Sequence, residues 1–222
     1  GPVVKDQDGP EIYATLYSIT PSPHDAATIW TGSDDGFVHI TRDSGENWSN
    51  VTPPDMLAHT RVMTIDVSQH DAGTAYVAGI RYEMDDRSPY AWKTNDYGEN
   101  WTKITDGIAP DDFVRVVRED PDRSGLLYAG TEHGVYVSFD DGESWSSLSY
   151  DLPDTPVTGL AVQDRDLVIS THGRSFWVLD DIETLRQIRA DVARSDAHMF
   201  GPADAIRRSV PAVLDSYVTG SD

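Results

Sequence analysis

Thr41-Arg-Asp43-Ser-Gly45-Glu-Asn-Trp48, Thr94-Asn-Asp96-Tyr-Gly98-Glu-Asn-Trp101 and Ser138-Phe-Asp140-Asp-Gly142-Glu-Ser-Trp145 are three near-copies of one phrase, Ser/Thr-x-Asp-x-Gly-x-x-Trp. They recur at about 53 and then about 44 residues, a spacing used by propeller and solenoid repeats. One such phrase is a weak signal. Three in the same flanking context define a repeat.

The phrase reads as a turn. A short acidic side chain two positions before glycine accepts hydrogen bonds from the backbone N–H groups of its own turn. The glycine takes a positive φ without steric penalty. The tryptophan opens the next strand, with its ring packed over the turn and its N–H near a partner. Asp43, Gly45, Trp48, Asp96, Gly98, Trp101, Asp140, Gly142 and Trp145 are therefore assigned to structure, and the three aspartates to turn stabilisation rather than catalysis.

Reading outward, each phrase closes the same series: an alternating strand, a polar turn, a short apolar strand, a loop and a third strand, with a fourth strand after the phrase. The first repeat, about 12–52, has strands at 14–19, 28–32, 37–41 and 48–51. The second, about 60–105, has them at 62–67, 75–78, 90–94 and 101–104. The third, about 112–149, has them at 114–118, 127–129, 135–138 and 145–148. A fourth, about 156–180, has strands at 157–162, 167–170 and 176–179 and lacks the Gly-x-x-Trp half of the phrase. Residues 1–180 thus read as an all-β chain of about four propeller blades. Over 181–192, Ile182, Leu185, Ile188 and Val192 fall at helical spacing, with Asp181 as N-cap. Gly201-Pro202 and Pro211 mark the remainder as a connector.

The phrase resembles the Asp-box, or BNR repeat, of sialidases, xyloglucanases, sortilin-type receptors and a photosystem II assembly factor. The strings at 112–120, 127–138 and Thr171-His-Gly-Arg174-Ser-Phe-Trp-Val-Leu-Asp-Asp181 are similar to large bacterial sortilin-like or glycosyl-hydrolase-like BNR proteins. The resemblance covers about residues 12–205. It implies a β-propeller with more blades than four, its boxes lying away from the ligand face. It also implies an exported protein, secreted or in the cell envelope, and a further C-terminal domain after 181–222. Terminal repeats need capping, so the open edges are expected to be buried by remaining blades or by a second copy of the chain.

Composition narrows the classes of function. The 222 residues include no cysteine, which excludes a disulfide framework, a thiolate nucleophile and cysteine-held metal. A formal net charge of −21 repels nucleic acid and anionic membranes, and no apolar run reaches membrane-span length. No cofactor motif and no His-x-His or His-Glu-x-x-His spacing is present, so no cofactor or metal is expected.

Propeller ligands commonly meet the loops opposite the boxes. The weak catalytic candidates there are Asp34, Asp35 and Glu132, since glycoside cleavage needs two carboxyls flanking the bond. Arg61, Arg81, Tyr82, Arg87, His133, His172 and Arg174 are the ligand-face candidates. The stretch 79–90 reads as a loop about eight residues longer than its counterparts, and overlong loops are commonly functional. No Arg-Ile-Pro phrase supports a sialidase. The favoured reading is a non-catalytic recognition surface or scaffold for peptide or glycan. The alternative is part of a glycoside hydrolase completed by other blades.

Overall fold

The computed structural model describes residues 14–202. Positions 12–13 of the first repeat and, of the connector expected over 193–222, residues 203–222 lie outside the described residues. Among the described residues, fifteen strands form four antiparallel sheets, each in simple chain order. The first holds β1 (Leu16–Pro21), β2 (Ile29–Ser33), β3 (Val38–Thr41) and β4 (Ser49–Asn50). The second holds β5 (Arg61–Val67), β6 (Ala75–Arg81), β7 (Asp86–Thr94) and β8 (Thr102–Lys103). The third holds β9 (Val114–Glu119), β10 (Leu127–Thr131), β11 (Val135–Ser138) and β12 (Ser146–Ser147). The fourth has three strands, β13 (Val157–Gln163), β14 (Asp166–Thr171) and β15 (Phe176–Leu179).

The sheets stack as blades. Trp30, Val38 and Ile40 of the first face Val62, Ile65 and Val77 of the second. Tyr76 and Ala91 of the second face Val114 and Val117 of the third. Tyr128, Val135 and Val137 of the third face Leu160, Leu167 and Ile169 of the fourth. A strand covered on both sides reads as a continuous apolar run rather than an alternation. That explains Ala75-Tyr-Val-Ala-Gly-Ile80 in β6 and Leu127-Tyr-Ala-Gly130 in β10. Gly130 marks close approach of two blades: a Cβ there would lie 2.6 Å from Val157 and 2.7 Å from Val116. The first strands β1, β5, β9 and β13 contact one another in succession, so they form the inner side of the arc.

Residues 79–90 do not form the long loop expected. β6 and β7 extend to pair Arg81 with Asp86, and a 3-10 turn at Tyr82–Met84 with Asp85 in the left-handed region closes the hairpin. Asp86 is the reason: its carboxylate accepts the Arg81 Nε–H (3.1 Å), the Tyr90 hydroxyl (2.7 Å) and the Ser88 N–H (3.0 Å).

The fourth repeat ends differently from the others. Thr41, Thr94, Ser138 and Leu179 hold one position, each paired with the first residue of the second strand or its register match. Leu179 has no hydroxyl to build the turn. The chain instead enters α1 (Glu183–Gln187) and α2 (Ala190–Ala193), two short helices where the spacing predicts one. Ile188 and Arg189 are extended between them, and Asp181 sits at φ 57° without capping α1. Ile182 and Leu185 are drawn into the core beside Leu148, and Arg186 into the ion pair with buried Asp120. The first turn and a half is thus anchored, and the chain beyond Ile188 is largely exposed.

Candidate functional site

The three repeated phrases share one hydrogen-bond scheme. In the first, the Thr41 hydroxyl donates to Asp43 Oδ1 (2.8 Å) and accepts from the Gly45 N–H (2.9 Å), while Asp43 accepts from the Asn47 backbone (2.9 Å) and amide (2.7 Å). Asp96 and Asp140 repeat it with Asn100 and Ser144. Gly45, Gly98 and Gly142 lie at φ 94°, 87° and 88°. Hydrogen bonds from Asn47, backbone first, hold the Asp43 carboxyl below its ordinary range, and side-chain and backbone bonds from Asn100 do the same for Asp96. Both carboxylate oxygens of each aspartate accept hydrogen bonds within the turn, the arrangement of a turn-bracing residue.

The tryptophans do not merely cover their own turns. Trp101 Nε1 donates to the Val51 carbonyl of the preceding blade (2.7 Å) and Trp145 Nε1 to that of Ile104 (2.9 Å). Trp48, with no described blade before it, is 45% exposed.

At the opposite ends of the blades, all four inner strands carry a bulge at the same register. The pairing skips one residue, which is Tyr17 in β1, Met63 in β5, Arg115 in β9 and Thr158 in β13. Bulges re-aim side chains and are common beside binding sites. Here they begin a continuous surface. The Arg61 guanidinium lies 4.8 Å over the Tyr17 ring and pairs with Glu83 at 2.6 Å. Tyr82 stacks on Phe113, centroids 5.5 Å apart and 23° between planes. Arg115 lies 4.8 Å over the same Phe113 ring, and both Nε (3.1 Å) and Nη2 (2.6 Å) donate to Glu132. Tyr17 and Tyr82 stay exposed. Burial, then Glu83, push the Tyr82 phenol above its ordinary value, so its hydroxyl is a donor at neutral pH.

Sequence reasoning singled out Arg61, Tyr82 and Glu132 and missed Tyr17, Phe113 and Arg115. The available signal was an aromatic or arginine within two positions of the start of the first strand in successive repeats.

The other candidates go elsewhere. Asp34 is buried and accepts the Thr15 N–H (2.9 Å), and Asp35 accepts the Ser33 hydroxyl. Glu132 is held by Arg115. Each of the three carboxyls completes a local bond. Arg81 is held by Asp86 and the Ala58 carbonyl. Arg87 is exposed on β7. His133 Nδ1 lies 2.8 Å from Asp154, whose hydrogen bond raises the imidazole pKa; the group is half exposed. His172 and Arg174 are exposed in the β14–β15 loop, where the Arg174 carbonyl accepts the Trp177 indole. Gly36, Gly134 and Gly173 each stand just before a third strand, but aligning the loops on these glycines puts the fourth loop one residue out of step. The backbone bonds Asp34 N–H to Thr15, Glu132 N–H to Phe113 and His172 N–H to Pro156 make His172, not Thr171, the counterpart of Asp34 and Glu132. The loops differ in length, so glycine alone does not fix the register.

Among the described residues no group of three or more His, Asp or Glu side chains is placed to hold a metal ion, and no helix is long and apolar enough to cross a membrane. A cavity of about 300 Å³ at the far ends of the inner strands is lined by Asp66, Arg118 and Glu119. Burial pushes the Asp66 carboxyl up against the opposing pull of Arg118, 2.9 Å away, and the pair also holds the Glu119 N–H (2.9 Å) and the Leu160 carbonyl (3.2 Å).

No family model matches the chain, and no curated protein matches it. Solved structures do. YCF48 from Cyanidioschyzon merolae aligns at 18% identity with a TM-score of 0.55, over 79% of this chain and 56% of that one. A structure titled YCF48 bound to D1 peptide aligns at 18% and 0.57, over 75% and 51%. The GH74 xyloglucanase from Xanthomonas campestris aligns at 17% and 0.59, over 76% and 29%. At these identities the likeness is one of fold: the four sheets are blades of a β-propeller. The chain spans 56% or less of the length of these three structures.

Proposed function

We propose that this chain is a non-catalytic recognition segment of an Asp-box (BNR-type, sortilin-like) propeller protein of the exported class. The ligand surface is the run from Tyr17 through Arg61 and Tyr82 to Arg115, with buried Phe113 supporting Tyr82 and Arg115 from beneath. The observation that carries this reading is that, beside the inner-strand bulges of the first three blades, exposed Tyr17 lies under the Arg61 guanidinium and exposed Tyr82 stacks on the buried Phe113 ring that Arg115 covers. Such rings offer flat contact area with little side-chain entropy to lose, and the paired Arg–Glu groups present fixed donors and acceptors to a peptide or sugar. The glycosidase alternative needs two carboxyls flanking a bond. Asp34, Asp35 and Glu132 are each engaged in separate local bonds, which favours recognition.

The test is a screen of the chain against peptide and glycan arrays, with hits re-measured on Tyr82→Ala. Loss of Tyr82 is expected to weaken a true ligand at least ten-fold, about 1.4 kcal/mol, with the melting temperature nearly unchanged. A hit indifferent to Tyr17→Ala and Tyr82→Ala, or hydrolysis lost in Glu132→Gln, would overturn the reading.

The arc also presents an unfinished face at each end. Leu16, Ile19 and Phe37 are 52%, 64% and 43% exposed, whereas their register matches Val62, Ile65 and Tyr90 in the next blade are 0%, 2% and 7%. At the other end Phe176 and Val178 are 75% and 52% exposed against 0% and 4% for Val135 and Val137. These faces are proposed to pack against further blades, supplied by a second copy or by more of the parent protein. Light scattering on a sizing column is expected to show self-association of the isolated chain, reduced in Ile19→Asp. A wild-type monomer at all concentrations would contradict copy-to-copy packing.

A further inference from the structure

Among the described residues the fourth sheet holds three strands where the others hold four. In the complete sheets the outer strand rests on the third, β4 on β3, β8 on β7 and β12 on β11. There the carbonyls of Val38, Ala91 and Val135 accept the N–H groups of Val51, Ile104 and Leu148. The N–H groups of Val38 and Val135 donate to Thr52 and Ser149 hydroxyls (2.9 and 3.1 Å). Strand pairing makes Phe176 the matching residue of β15. The main chain of Phe176, and of Val178 two residues on, thus faces an edge on which no described strand lies. A row of main-chain donors and acceptors on such an edge is a template for an added strand.

A groove runs beside this edge. Two cavities of about 250 and 340 Å³ share Tyr150, Asp151 and Leu179. Apolar side chains such as Leu152 and Ile182 form much of the walls. Asp151 and Asp181 supply the charge, and no basic side chain lines either cavity. The groove therefore favours apolar side chains together with a cation.

We propose that the β15 edge and this groove take one extended strand of a partner polypeptide, apolar with a lysine or arginine, which completes the fourth blade by strand addition. The main chain of the partner meets Phe176 and Val178, its apolar residues enter the groove, and its cation meets Asp151 and Asp181. The fourth strand of the second blade and its flanks show the chemistry that such a position accepts, Trp101-Thr102-Lys103-Ile104.

The probe is a fluorescein-labelled peptide of the sequence of residues 99–105, Glu-Asn-Trp-Thr-Lys-Ile-Thr, titrated with the full chain. Saturable binding tighter than about 1 mM is expected. The amides of Phe176 and Val178, exchanging freely beforehand, should become protected. Val178→Pro removes an edge N–H and places a ring across the edge, a substitution edge strands tolerate. It should weaken binding at least ten-fold. Asp151→Lys, which leaves the edge intact, should also weaken it and decides the matter if the proline variant does not fold. No binding to the wild type, or equal binding to both variants, overturns the proposal. So does protection of the Phe176 and Val178 amides before peptide is added, since the edge would then already be covered by the chain itself or by a second copy.

Discussion

Trp145→Ala is expected to lower the unfolding free energy by about 3–5 kcal/mol, the range for deleting a large buried aromatic. The ring is 5% exposed and lies between the second and third blades, with its N–H donated to the Ile104 carbonyl at 2.9 Å. Truncation opens a cavity and leaves that carbonyl without this donor. Gly107, at φ 90°, brings its backbone against the same residue: a Cβ there would be 2.3 Å from the Trp145 carbonyl oxygen. Trp48→Ala is the control, because the same phrase there has no described blade behind it. It should cost about 1 kcal/mol or less, as most exposed substitutions do. Denaturant unfolding of both variants checks this. Equal losses at Trp48 and Trp145 would mean that the tryptophan serves only its own turn.

Arg186→Ala is expected to be as damaging, about 3–5 kcal/mol, because it strands a buried charge. Asp120 has a fully buried side chain, and Arg186 Nε lies 3.0 and 3.1 Å from its two oxygens. The same guanidinium donates to Glu183 (2.7 Å) and to the Asp164 carbonyl (2.9 Å), which ties α1 to both the third and fourth blades. Asp120 also accepts the N–H groups of Asp122 and Arg123, so losing its cation disturbs a turn of the third blade. A double-mutant cycle of Arg186→Met with Asp120→Asn, read by thermal unfolding, should show the pair cheaper to lose than the arginine alone. Strict additivity would mean that the two residues do not act as a pair.

The two residues differ in how visible they were. Trp145 sits in a repeated phrase and could be found by comparing the chain with itself. Its partner Ile104 could not, because the bond crosses from one repeat to the next. Arg186 was a basic residue in a stretch with helical spacing, 66 positions from Asp120. Nothing in the spacing announces that the pair would be buried, and burial is what makes it strong. The ligand face shows the same division. Arg61, Tyr82 and Glu132 stood out as charged or aromatic residues in loops. Arg115 and Tyr17 lie inside strands at bulges, and the recurring aromatic or arginine near the start of the first strand was too slight a signal to single them out. The hairpin at 79–90 was misread as a loop because Asp86, which locks it, looks in sequence like any other acidic turn residue.

The sequence by itself determined the repeat, the strand order within each blade and the turns. These depend on residues within about ten positions of one another, where hydroxyl, carboxylate and glycine have fixed reach. Tertiary structure alone decided which carboxylates were already engaged, which tryptophans bridge blades, and where arginine meets an aromatic ring. It also decided that the stretch after the fourth blade breaks into two short helices, with α1 anchored by Ile182, Leu185 and Arg186. Those outcomes rest on contacts between blades, and a period in sequence carries no information about which side chains meet across it.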